Sequence, residues 1–138
     1  MWILLGFLSA LTAALMTVVG KTALAKVDPT LATGIRSAVM CAAMGVVLAA
    51  TGKWRLAEGL PGNAWTAIVV SALFGAASWL CYFLALRIAP AAKVAALDRL
   101  SLAMVVVLAA LFLGESPTWK TGLGALLSTA GILLIVRG

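Results

Sequence analysis

The sequence has no histidine, only four acidic residues and two cysteines among its 138 positions. Each scarcity removes a class of chemistry. There is no histidine, the carboxylates are not clustered, and Cys41 and Cys81 are not spaced as metal ligands. The chain is therefore not expected to be an enzyme, and it needs neither cofactor nor metal. Both cysteines fall inside apolar runs and read as small buried residues. Charge is scarce as well: 10% of residues are charged and 64% are apolar, against roughly a quarter and a half in a soluble domain. The N-terminus has no basic segment before its first apolar stretch, so Met1 to Val19 reads as a retained span and not a cleaved signal.

An apolar surface of this extent aggregates in water, which makes lipid the solvent. A helical span needs about 20 residues, so five spans use about 100 and leave only short loops. The expected fold is an all-α integral membrane protein, 1–138 forming one domain. The spans are placed at 2–20, 31–51, 64–86, 91–113 and 118–136. Asp28-Pro29-Thr30 suits a helix start, and Gly52 to Asn63 reads as the longest loop. Pro90 punctuates before the fourth span, and Pro117 suits the first position of the last.

Five spans put the N-terminus, the second loop and the fourth loop on one membrane face. Trp2, Trp54, Trp65 and Trp119 all fall there, as tryptophan's preference for the interface requires. The net charge of +6 is scattered and forms no basic run, so the partner it implies is anionic lipid and not nucleic acid. The tryptophan face holds Lys53, Arg55 and Lys120; the other holds Lys21, Lys26, Arg87, Lys93 and Arg137. Five cations against three favour the second face as cytoplasmic, a bias small enough for both orientations to insert. Small residues recur at close-packing spacing: Cys41, Gly45 and Ala49; Ser71 and Gly75; Gly124, Ser128 and Gly131.

The chemical information lies in Arg36, Asp98 and Arg99, because a charge at the bilayer centre costs roughly 2.5–3.5 kcal/mol on insertion scales. At about 1.5 Å per residue, Arg36 lies about 9 Å into the second span and Asp98 about 10 Å into the fourth, counted from one face. They can share a level and neutralise each other. Two readings stay open: a buried pair that fixes helix packing, or a charged lining for a polar cavity. Arg99 favours the cavity, because one carboxylate cannot neutralise two guanidinium groups. Lys21 and Lys93 are interface cations able to snorkel. Trp79 and Tyr82, one turn apart, form either an aromatic wall for substrate or ordinary core. Glu115 reads as a structural turn residue serving the following helix start.

Tyr82-Phe83-Leu84-Ala85-Leu86 followed by Ala89-Pro90-Ala91-Ala92-Lys93-Val94-Ala95 resembles the EamA repeat of the drug/metabolite transporter superfamily. The run from Leu97-Asp98-Arg99-Leu100-Ser101 to Leu113-Gly114-Glu115 does too, as do Gly122 to Leu127 with Ala130-Gly131. Leu31-Ala32-Thr33 and Ile35-Arg36 look like the second helix of the short, single-repeat members. Many repeats carry a proline in the fourth helix where this chain reads Ser101-Leu102, and its first span lacks the carboxylate of the small multidrug resistance relatives.

The resemblance implies one five-helix EamA-type repeat acting as a small-metabolite transporter in the cytoplasmic (inner) membrane of a prokaryote. Inverted-repeat transporters hold substrate between two repeats, so a single repeat would pair with a second copy, antiparallel favoured, and work by alternating access. Arg36, Asp98, Arg99, Trp79 and Tyr82 would line the cavity, with Asp98 as proton carrier and an anionic or zwitterionic solute as cargo. The alternative is a non-transporting membrane subunit that packs against another membrane protein.

Overall fold

The computed structural model describes residues 1–138 and is helical throughout, with no strand. Its elements are α1 (Trp2–Leu24), α2 (Pro29–Thr51), a 3-10 helix (Lys53–Gly59), α3 (Gly62–Ile88), α4 (Ala91–Asp98), α5 (Ser101–Phe112) and α6 (Trp119–Arg137). With α4 and α5 taken together, five helices are long and apolar enough to cross a membrane. Several carry a tryptophan at one end and a basic residue at the other. Trp2 to Lys21, Trp65 to Arg87 and Trp119 to Arg137 span roughly 28, 33 and 27 Å at the helical rise, matching a hydrocarbon core of about 30 Å.

Helix boundaries follow local chemistry. Asp28 caps α2: its Oδ1 accepts from the Thr30 N–H at 2.8 Å and the Leu31 N–H at 3.3 Å, and Pro29 takes the first helical position. The helix ends at Gly52, whose φ of 65° is the left-handed conformation that glycine adopts without strain. The segment after it, expected as loop, winds into the 3-10 helix, and α3 begins already at Gly62. Gly114, at φ 68°, turns the chain out of α5. The cap of α6 is Thr118, whose Oγ1 accepts from the Thr121 N–H at 3.3 Å. Pro117 thus precedes the cap instead of occupying the first turn, because a hydroxyl serves the exposed N–H groups and proline cannot. Glu115 stays in the turn.

The chain divides into two compact units, Val19–Arg87 and Met1–Val18 with Ile88–Gly138. In Val19–Arg87 the tightest approach is at Gly20, where an added Cβ would stand 3.3 Å from the Phe83 ring. Leu24, Phe83 and Leu86 are buried in this unit. Lys21 donates to the carbonyl of Leu86, and Arg87 pairs with Asp28 at 3.4 Å. In the other unit α6 packs against both α4 and α5, burying Val94 and Ile132. There Lys93 donates to the Val136 carbonyl at 3.1 Å. The two lysines do the same work: each ammonium reaches a carbonyl that the last turn of a neighbouring helix leaves free.

Two packing expectations change. Cys41 and Cys81 are exposed, because an apolar stretch in a membrane protein faces lipid as readily as protein. A Cβ added at Gly45, Gly75, Gly124 or Gly131 would meet nothing within 4 Å, so those small-residue faces are open within the chain. Gly20, outside the expected stripes, makes the close approach.

Candidate functional site

Arg36, Trp79 and Tyr82 come together in the unit Val19–Arg87. The Arg36 guanidinium carbon lies 3.7 Å from the centroid of the Trp79 ring and 5.3 Å from that of Phe83. Trp79, Tyr82 and Phe83 occupy one face of α3 at spacings of three and four residues. Trp79 and Tyr82 meet edge to face, with centroids 5.8 Å apart and planes at 75°. Phe83 lies 6.1 Å from both. Arg36, Trp79 and Tyr82 are each half-buried. The ring quadrupole presents its negative face to the cation, which replaces part of the hydration that hydrocarbon removes. A delocalised, weakly hydrated guanidinium suits such a seat better than an ammonium.

Asp98 and Arg99 lie in the other unit, where the fourth span breaks. Arg99 has φ −71° and ψ −7°, and Leu100 has φ −60° and ψ −23°, the flattened ψ of a 3-10 turn. The hydrogen bonds shorten their reach accordingly. Arg99 N–H donates to Ala96, Leu100 to Leu97 and Leu102 to Arg99, each three residues back. The span expected as one continuous helix is thus two, joined at its charged residues without a proline. A tight segment within a helix often marks a hinge, and interrupted membrane helices are found where they border a polar site.

Beside this break, between α5 and α6, runs a groove of about 470 Å³ lined by Arg99, Ser101, Leu102, Val105, Ser128 and Ile132. A second hollow of about 250 Å³ shares Val105 and ends at Glu115, Ser116, Thr118 and Thr121. Register agrees with these linings. At 1.5 Å per residue Arg99 lies about 12 Å from Ala91, and Ser128 about 13 Å from Arg137, which ends α6 on the same face. Ser128 counted only as a packing residue in the sequence, and Ser101 only as a substitute for proline. Their common groove needed the pairing of α5 with α6. Phe83, the third ring beneath Arg36, was legible in principle from its place four residues after Trp79.

Residues 1–137 match the EamA-like transporter family. The chain belongs to that family. It is 40% identical over 134 residues to an uncharacterized transporter in the cobO 3′ region of a Sinorhizobium species, covering 97% of this chain and 95% of the relative. No solved structure matches. This EamA-like chain is a short, single-domain member of the drug/metabolite transporter superfamily, a multi-span membrane protein of a transporter family and not of an enzyme class.

Proposed function

We propose that this EamA-like chain moves a small anionic or zwitterionic metabolite across the cytoplasmic membrane of a prokaryote, working as a homodimer by alternating access. The observation that carries the reading is the break in the fourth span at Asp98 and Arg99. A continuous apolar helix has no use for two charges near mid-membrane, whereas a jointed helix in a transporter can present them to a moving solute. Asp98 is the proton carrier, and Arg36, Arg99, Trp79 and Tyr82 line the path. A single repeat obtains its inverted partner from a second copy, and the near balance of loop charges supports an antiparallel pair.

The test has two parts. In proteoliposomes, Asp98→Asn should abolish proton-coupled uptake while the dimer persists; uptake unchanged at every pH would remove Asp98 from the mechanism. In native membranes, a single cysteine replacing Arg137, with Cys41 and Cys81 removed, should react with an impermeant reagent from both sides. Reaction from one side alone would exclude the antiparallel homodimer and turn the search to a membrane-protein partner.

A further inference from the structure

The two membrane arginines have different surroundings, and the difference assigns them different work. Arg36 has its guanidinium seated on the Trp79 ring at 3.7 Å. Arg99 has no such seat. It makes no ion pair and no side-chain hydrogen bond, and it lines a groove with two hydroxyls, Ser101 and Ser128. The carboxylates of its own unit, Asp98 and Glu115, form no ion pair with it. The rest of the groove is apolar, with Leu102, Val105 and Ile132 as walls.

We infer that the groove between α5 and α6 binds the carboxylate of a small monoanion that has an apolar body, with Arg99 as its counter-ion and Ser101 and Ser128 as hydroxyl donors. This rests on the transport reading and gives its cargo a class. A guanidinium with free donors inside a membrane span is an acceptor-seeking fork that a carboxylate fits with two parallel hydrogen bonds. One cation calls for one negative charge. The two serines are the neutral donors that can hold the remaining lone pairs. The aliphatic wall receives a hydrocarbon or aromatic remainder without loss of hydrogen bonds. Depth selects a solute over a lipid phosphate. Arg99 lies about 12 Å inside one face of a hydrocarbon layer about 30 Å thick, so it stands near the midplane, while headgroup phosphates stay outside that layer.

The probe is benzoate, compared with its neutral isostere benzamide. Equilibrium dialysis would use the full chain in nanodiscs of phosphatidylcholine. Benzoate should bind roughly tenfold more tightly than benzamide, a ratio equal to about 1.4 kcal/mol. Arg99→Gln should erase the preference, Arg99→Lys should keep only the part that comes from charge without the bidentate fork, and Ser101→Ala with Ser128→Ala should reduce it several-fold. Lys53→Gln, which removes an exposed cation of the 3-10 helix outside the spans, should leave it within about twofold. Equal binding of the two probes to the wild type would overturn the assignment. So would a preference that survives Arg99→Gln, or one that disappears in monodisperse Arg99→Lys. Displacement of benzoate by dihexanoyl phosphatidylglycerol but not by dihexanoyl phosphatidylcholine would put a lipid phosphate on Arg99 and overturn it as well. Failure here is separable from failure of the transport reading. Binding without flux in liposomes keeps the groove and removes the transporter; flux without a benzoate preference does the reverse.

Discussion

The seat of Arg36 on Trp79 can be weighed by a double-mutant cycle. A cation over an aromatic face is worth about 0.5–1 kcal/mol when exposed and about 2 kcal/mol when desolvated. At 3.7 Å from the centroid, half-buried and within a membrane span, the pair belongs near the upper end, at about 1.5 kcal/mol. Trp79→Leu also removes ring contacts to Tyr82 and Phe83, at about 0.5–1.5 kcal/mol for each such pair. The single variant should therefore lose about 2.5–4.5 kcal/mol, of which about 1–3 kcal/mol belongs to the ring contacts and not to the cation. Arg36→Met is less decisive alone, because losing the contact is offset by removing a charge that costs roughly 2.5–3.5 kcal/mol in hydrocarbon. The cycle cancels both side effects and leaves the coupling. Pulse proteolysis along a dodecyl sulfate titration in mixed micelles would read the four unfolding equilibria. A coupling of about 1–2 kcal/mol is expected, a change of about tenfold in the equilibrium constant. Additivity within about 0.3 kcal/mol would refute the argument and leave Arg36 and Trp79 as neighbours without an energetic bond.

Other consequences are open to measurement. The Asp28 carboxyl is held below the usual carboxylate range by the N–H groups of Leu31 and Thr30, with Arg87 adding to the effect. A depressed folded-state value gives stability that is present above the unfolded value near 4 and lost as pH falls through the folded one. Thermal unfolding in detergent should thus drop more between pH 6 and pH 3 for the wild type than for Asp28→Asn, which still caps but does not titrate; equal drops would contradict this. Lys93→Met leaves the Val136 carbonyl without its ammonium and should destabilise the α4–α6 contact by about 1 kcal/mol, while Lys93→Arg should recover part of it. Gly20→Leu forces a side chain into Phe83 and should cost about 1–3 kcal/mol, whereas Gly45→Leu, with open space at its Cβ, should be nearly silent in the isolated chain.

Composition and spacing by themselves determined that this is a five-span membrane protein. The reason is physical: lipid demands about 20 apolar residues per crossing, and caps such as Asp28-Pro29 and Gly52 are local chemistry written within a few residues. Arg36, Asp98 and Arg99 stood out as candidates in the sequence too, because a charge in hydrocarbon is conspicuous without any structure. The EamA resemblance, carried by motif order, is matched over residues 1–137. The break in the fourth span was not legible. Nothing but backbone dihedrals shows that Arg99 and Leu100 exchange four-residue hydrogen bonds for three-residue ones, since no proline marks the spot. Tertiary structure also decided which arginine is seated and which is free. Sequence gives depth along a helix but not the azimuth at which a neighbour arrives. Only the approach of α2 to α3 puts Arg36 on Trp79, and only the packing of α5 on α6 brings Ser128 beside Arg99.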